Sequence, residues 1–316
     1  RGSGCKSVVM EVTSHGLALD RVAGIRFETA VFTNFSRDHL DFHESSEAYL
    51  AAKALLFENL DSQANAVVNL DDPVTHALLA RCSGEVVGYG RAEGAAVRIL
   101  EGRADWQGVK LNVQTPDGVL DLDLSLRGRF NFWNAAAAVA AGFVSGVASD
   151  LITESLRRVQ VPGRFEAIEG DHPFGVIVDY AHTPAALNHA LKAARSLTSA
   201  KVIVCFGCGG DRDPGKRSEM GEVSSRLADL TVVTSDNPRT EDPDAIIQNI
   251  LPGLGSARYE VEPDRRLAIE AAIRKAKEGD VVLIAGKGHE DYQEVGRERI
   301  HFDDREIARE VLDDLS

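Results

Sequence analysis

Short apolar runs alternate with polar, Gly- and Pro-marked breaks along the chain, and the spacing within each run predicts an element. Residues 7–12 (SVVMEV), 28–34 (ETAVFTN) and 65–70 (NAVVNL) are apolar stretches of strand length bounded by polar residues. Between the last two, Ala48, Ala51, Ala52, Leu55 and Leu56 recur at helical spacing over residues 45–60. Strand, helix and strand at these lengths predict a parallel α/β sheet. Residues 96–126 instead alternate apolar with polar, punctuated by Gly102, Gly108 and Pro116-Asp117-Gly118, and predict a small antiparallel meander. An Ala-rich helix over 134–143 follows.

Pro162-Gly163 then breaks the chain ahead of a second α/β series. Strands are expected over 176–178, 201–206, 230–234 and 281–285, and helices over 185–197, 219–227, 243–251 and 265–277. The expected architecture is α/β in two domains, residues 1–162 and 163–316. Each strand of the second series ends in a loop rich in Gly, Asp, Asn, His or Arg. Ligands of open α/β sheets bind outside the carboxyl ends of the strands, which is where these polar clusters fall.

Composition narrows the function classes. The 316 residues are 44% apolar and 27% charged, a globular balance long enough to fold without disulfides or structural metal. A net charge of −14 disfavours a nucleic-acid partner, because phosphate-backbone binding calls for a basic surplus. Four cysteines make no disulfide framework and suit a reducing cytosol. No apolar run approaches the roughly 20 residues of a membrane span, and no signal peptide is visible. The opening Arg1-Gly2-Ser3-Gly4 lacks an initiator Met and reads as a piece of something longer.

Two motifs lose on chemistry. Gly210-x4-Gly215-Lys216 begins like a phosphate-cradling loop, but Arg217 stands where a Ser or Thr hydroxyl is needed, and Asp211 and Asp213 oppose phosphate oxygens. The loop is better suited to offering Arg212 to a ligand. Cys205-x2-Cys208 has redox or half-zinc-site spacing but no second pair, so structural thiols are expected.

Others gain. Glu11 and His39 lie at adjacent strand ends, where a carboxylate and an imidazole can share a metal; helix capping by Asp38 with a surface His is the competing reading. Asp41, His43 and Lys53 lie nearby in sequence, Lys53 in an otherwise small and apolar setting that ordinarily marks a surface lysine. In Asp179-Tyr180-Ala181-His182-Thr183-Pro184, Thr183 can cap a helix with Pro184 at its first position, which leaves Asp179 and His182 to bind something. Asp236-Asn237-Pro238-Arg239-Thr240-Glu241 and Gly286-Lys287-Gly288-His289-Glu290 end two further strands. One such loop alone would read as a turn; three at successive strand ends are harder to dismiss as turns.

In order along the chain, EVTSH (11–15), NFSRDHLDFH (34–43), AAKALLF (51–57), GRFNFWNAAAA (128–138), DYAHTP (179–184), FGCGGDRDPGKR (206–217), DNPRTEDP (236–243) and AGKGHEDYQ (285–293) resemble the Mur ligases, in particular their diaminopimelate-adding branch. The resemblance implies most of a P-loop-type central ATPase domain, without its uridine-nucleotide neighbour or its P-loop, followed by a Rossmann-like C-terminal domain. It implies a bacterial cytoplasmic ligase of peptidoglycan synthesis, monomeric, with no nucleic-acid or membrane partner. ATP and Mg²⁺ would activate the D-Glu carboxylate of UDP-N-acetylmuramoyl-L-Ala-D-Glu as an acyl phosphate, which the amine of meso-diaminopimelate then attacks.

Residue by residue, the resemblance implies Mg²⁺ at Glu11, His39 and a carbamylated Lys53. It places the UDP-muramoyl peptide at Thr13, Ser14, Leu19 and Arg21, with Leu19 standing where some members have Gln. It places ATP at Asn131, Asn134, Arg164, Asp179 and His182, and diaminopimelate at Arg212, Asp236, Asn237, Pro238, Arg239, Gly286 and Glu290. Lysine-adding members lack the Arg at position 239, so Arg239 points to diaminopimelate over lysine. The competing expectations are a lysine-adding ligase, or a chain that by itself only binds diaminopimelate without catalysis.

Overall fold

The computed structural model describes residues 4–36 and 40–315. Its elements, in chain order, are α1 (Ser14–Ala18), β1 (Thr29–Phe32), α2 (Leu40–His43), α3 (Ser46–Glu58), β2 (Asn65–Asn69), α4 (Thr75–Leu79), β3 (Glu85–Gly90), β4 (Val97–Asp105), β5 (Gly108–Thr115), β6 (Gly118–Leu124), α5 (Asn131–Val144), α6 (Ser149–Arg157), β7 (Glu166–Ile168), β8 (Gly175–Asp179), α7 (Pro184–Ser196), β9 (Val202–Phe206), α8 (Gly215–Leu227), β10 (Leu230–Val233), α9 (Pro243–Leu254), β11 (Tyr259–Val261), α10 (Arg265–Arg274), β12 (Val281–Ala285), β13 (Tyr292–Val295), β14 (Glu298–His301) and α11 (Asp304–Asp313). They form two compact units. The first runs to Ile99 and adds Gln114–Gly118 and Trp133–Ser149; the second comprises Leu100–Val113, Val119–Phe132 and the chain from Asp150 onward.

In the first unit β1, β2 and β3 are parallel neighbours, with Ala30 opposite Ala66 and Val67 opposite Val87. Strand β4 joins β3 in parallel at Tyr89–Val97 and Gly90–Arg98. Helix α3, capped by Ser45, sends Phe57 into a core with Phe32, Ala66, Val68 and Leu78. The carboxyl ends of these strands are clasped by polar side chains: Asn69 Nδ2 donates to Thr33 O at 2.7 Å, Tyr89 Oη to Phe32 O at 3.0 Å, and Asp72 accepts from Phe35 N at 2.9 Å.

One expected strand is absent. Residues 7–12 form no strand, and Val8 and Val9 are 82% and 100% exposed. An apolar run becomes a strand only where an edge takes its hydrogen bonds and a second layer covers it. Among the described residues β1 pairs with β2 alone, and the segment does not join its other edge. The predicted meander is present as β4, β5 and β6, its turns relying on Gly108 and Gly118 at φ +134° and +133°.

The sheet of the second unit has the order β11-β10-β9-β12-β8-β7, parallel except for β7, which runs antiparallel to β8. Side chains alternate between two buried faces. Ile177, Val204, Phe206, Val233 and Leu283 meet Leu187, Met220 and Ile250 of α7, α8 and α9. Val176, Val178, Ile203, Cys205 and Ile284 meet Ala268, Ile269, Ile307 and Val311 of α10 and α11. Burial on both faces is why these strands read as continuous apolar runs. Strand β12 inserts between β9 and β8, so the strand order departs from the chain order there, and in open α/β sheets ligands bind outside the carboxyl ends at such a point. Thr183 caps α7 through Ala186 N at 3.2 Å, with Pro184 in the first turn, as its sequence predicts. Among the described residues no helix is long and apolar enough to cross a membrane.

Candidate functional site

Three loops meet beyond β8 and β12. Gly163 has φ +67°, and a Cβ there would lie 2.0 Å from His289 N, so only glycine lets residues 163–165 pass against the 286–290 loop. Phe165, itself at φ +50°, donates its N–H to Asp179 Oδ2 at 2.8 Å, while Asp179 Oδ1 accepts from Ala181 N at 2.9 Å. Burial holds the Asp179 carboxyl above its ordinary range, against the opposing pull of these N–H groups and Arg164. Asp179 therefore fastens the two loops whatever else it binds. The Arg164 guanidinium lies 4.2 Å from the Tyr180 ring, which also faces His182 at 4.6 Å and His289 at 5.2 Å. His182 Nδ1 is 2.9 Å from Tyr180 O. A flat aromatic surface beside a guanidinium suits a base and its phosphates. Asn131 is buried and donates to Arg127 O at 2.7 Å; Asn134 is exposed on α5.

The second cluster joins the 236–241 and 286–290 loops to β13. Asp236 and Asn237 are buried. Gly286, at φ +124°, lets Asp236 approach so closely that a Cβ would sit 2.8 Å from Oδ2. Asn237 Nδ2 donates to Glu290 Oε2 at 2.9 Å, and its Oδ1 accepts from Glu294 N at 3.0 Å and from Lys287 Nζ at 2.8 Å. Arg239, at φ +51°, donates through Nε to Glu294 Oε2 at 3.0 Å and through Nη1 to Gly210 O at 2.7 Å. Pro238 is buried, its carbonyl packed so closely on Gly210 that a Cβ there would lie 2.0 Å away. Arg212 is exposed, its Nη1 on Asp211 O at 2.9 Å. The 210–215 loop is thus a polar loop held to the 236–241 loop by Asp211–Thr240 hydrogen bonds, as its failed phosphate motif foretold.

The sequence-predicted residues of the first unit are less gathered. Thr13 caps α1 through Gly16 N at 3.0 Å, which accounts for it locally. Ser14 is buried, its Oγ 2.8 Å from His43 Nε2. Glu11, Leu19 and Arg21 are exposed. Lys53 is half-buried with Nζ 5.0 Å from the centre of the Tyr49 ring. His39 and Asp38 lie outside the described residues, as does the side chain of Asp41. Among the described residues no three His, Cys, Asp or Glu side chains come together to hold a metal ion.

Sequence reasoning missed Lys287, Glu294 and Tyr180 as members of the site, although Gly-Lys-Gly at a strand end was visible. The chemistry available is recognition of a zwitterionic head, with carboxylates for an ammonium and a guanidinium for a carboxylate, beside an aromatic and cationic surface for a nucleotide.

Two family models match the chain, the Mur ligase middle domain over residues 1–142 and the Mur ligase glutamate ligase domain over residues 163–288. The UDP-N-acetylmuramoyl-L-alanyl-D-glutamate–2,6-diaminopimelate ligase of Geobacter metallireducens is 44% identical, covering 99% of this chain and 66% of its own length. That of Gloeobacter violaceus is 48% identical, covering 98% and 64%. A solved structure of a ligase of this name is 36% identical with a TM-score of 0.62, covering 96% and 64%. The chain therefore spans just under two thirds of the length of these relatives, at 66% and 64%. A pseudomurein peptide ligase from Methanothermus fervidus, 19% identical with a TM-score of 0.70, shares the fold. With both family models matched in order and relatives aligned over nearly its whole length, the chain belongs to the Mur ligase family.

Proposed function

We propose that this chain carries the amino-acid-accepting part of an ATP-dependent ligase that joins meso-2,6-diaminopimelate to the D-Glu carboxylate of UDP-N-acetylmuramoyl-L-Ala-D-Glu, in the bacterial cytoplasm. The observation that carries the reading is the cluster in which Glu294 holds Arg239 by its side chain and Asn237 by its N–H, while Asn237 holds Glu290 beside Asp236. Diaminopimelate has a second amino-acid head that lysine lacks. Its distal carboxylate pairs with the Arg239 guanidinium, and its distal ammonium with Asp236 and Glu290. Lysine, without a distal carboxylate, forgoes that charge-assisted pair with Arg239.

ATP supplies the phosphoryl group that makes the D-Glu carboxylate an acyl phosphate; the neutral proximal amine displaces phosphate and forms the amide. The chain's own residues hold the distal head, which aims that amine and fixes its distance. Arg164, Asp179 and His182 are the proposed nucleotide contacts, with Tyr180 as the stacking surface, and Asn131 and Asn134 complete the set. Thr13, Ser14, Leu19 and Arg21 are the proposed contacts to the muramoyl peptide. Magnesium accompanies ATP in this reading, through Glu11, His39 and a Lys53 carbamate. The described residues do not by themselves form a metal set, and no step is assigned to the ion. A carbamate turns the Lys53 ammonium into an anion, and a peptide mass increased by one carbon dioxide at Lys53 is the outcome expected. The chain is proposed to act as a monomer without nucleic-acid or membrane partners.

The test joins this chain to the further segment its relatives carry. Release of ADP should require the nucleotide-peptide and diaminopimelate together. Release that ignores diaminopimelate contradicts the proposal.

A further inference from the structure

Lys287 has no exposed surface, although it stands at the carboxyl end of β12 among residues proposed to bind substrate. Its Nζ donates to Asn237 Oδ1 at 2.8 Å and to Tyr292 O at 2.6 Å, and lies 3.4 Å from Asp236 Oδ1 and 3.7 Å from Glu290 Oε2. The rings of Tyr292 and Phe302 stand 5.7 and 6.0 Å away. An ammonium has three donors. Two go to neutral oxygens, and the third has within ion-pair distance Asp236 Oδ1, a buried oxygen with no hydrogen-bond partner among the described residues. Beyond Asp236 the Arg265 guanidinium is already matched by Asp304, and Arg239 is matched by Glu294. Asp236 and Glu290 therefore both lie within ion-pair distance of the single Lys287 ammonium.

We infer that Lys287 is the positioning residue of the acceptor pocket: it fixes the Asn237 amide and compensates one of two carboxylates, so that Asp236 and Glu290 together take one ammonium. This rests on the functional reading above and deepens it. Asn237 is oriented on both sides, its oxygen toward Lys287 and Glu294 N, its nitrogen toward Glu290. Without the ammonium the Asn237 amide loses the donor that orients its oxygen, and Asp236 and Glu290 lose the cation that both approach.

The experiment is steady-state kinetics of Lys287→Met in the polypeptide extended by its relatives' further segment. The KM for meso-diaminopimelate should rise at least about tenfold, with kcat and the KM values for ATP and nucleotide-peptide changed less than about twofold. Should the stranded charges prevent folding, Asp236→Asn with Lys287→Met removes both; that variant should fold and bind diaminopimelate weakly by calorimetry. An unchanged KM, equal losses toward all three substrates, or tight binding by the double variant each overturn the role of Lys287 and leave the functional reading intact. A wild-type protein that ignores diaminopimelate overturns both.

Discussion

Cys205 and Cys208 show how burial settles a residue's chemistry. Their spacing suggests redox or metal work, yet both are buried at the end of β9, Cys208 Sγ 3.6 Å from Met220 Sδ. Burial pushes both thiols from 9.0 up to about 12, so neither offers a thiolate near neutrality. In the folded chain at pH 8, a thiol reagent should modify exposed Cys5 and half-buried Cys82, and all four cysteines only after denaturation. Rapid reaction of four thiols in the native protein contradicts this. The same shift gives stability a pH dependence. Below pH 9 both states keep their protons; between 9 and about 12 the unfolded chain loses them while the folded chain holds them, so stability falls as pH rises through that window. Urea midpoints at alkaline pH should decline less steeply in Cys205→Ala/Cys208→Ala, and an unchanged slope is the contrary result.

Among the elements, α10 and α11 are tied to the sheet by a buried pair that no periodicity reveals. Arg265 Nε and Nη2 meet both Asp304 oxygens at 2.8 and 2.7 Å, and the same guanidinium reaches Ser235 O and Ala285 O. It thereby braces, from below, the loops that carry Asp236 and Gly286. Asp304→Ala should cost roughly 3–5 kcal/mol in chemical denaturation, because it strands a buried cation, while Arg265→Met/Asp304→Leu should recover most of that loss. Equal losses in the two variants contradict this account. Long elements with two buried faces were legible, β12 to the residue and α7 within one. Three-residue β7 and β11 and the β13–β14 hairpin were not, because so short a run carries no readable period. Their pairing comes from tertiary neighbours. In the loop before β7, Gly163→Ala should destabilise the second unit measurably, since its Cβ meets His289 N at 2.0 Å and its φ is +67°. A melting temperature equal to wild type contradicts that.

Across the whole molecule, the polar loops after β8, β10 and β12 come together because an α/β sheet delivers its strand ends to one edge. What the sequence could not show was how charge is distributed there. Lys287 and Glu294 became visible only once the loops were folded together, one as a buried cation between two carboxylates, the other as the partner that orients Arg239. The segment 7–12 misled for the opposite reason: its apolar pattern is real, but no layer among the described residues covers it. The central claim is that Arg239 and the carboxylates facing it choose a two-headed amino acid. Its most direct test offers labelled meso-diaminopimelate and L-lysine in competition to the extended polypeptide, with ATP and nucleotide-peptide, in wild type and Arg239→Ala. Incorporation should favour diaminopimelate in the wild type, and the preference should collapse by roughly tenfold or more in the variant. Equal or better use of lysine by the wild-type protein would contradict the account.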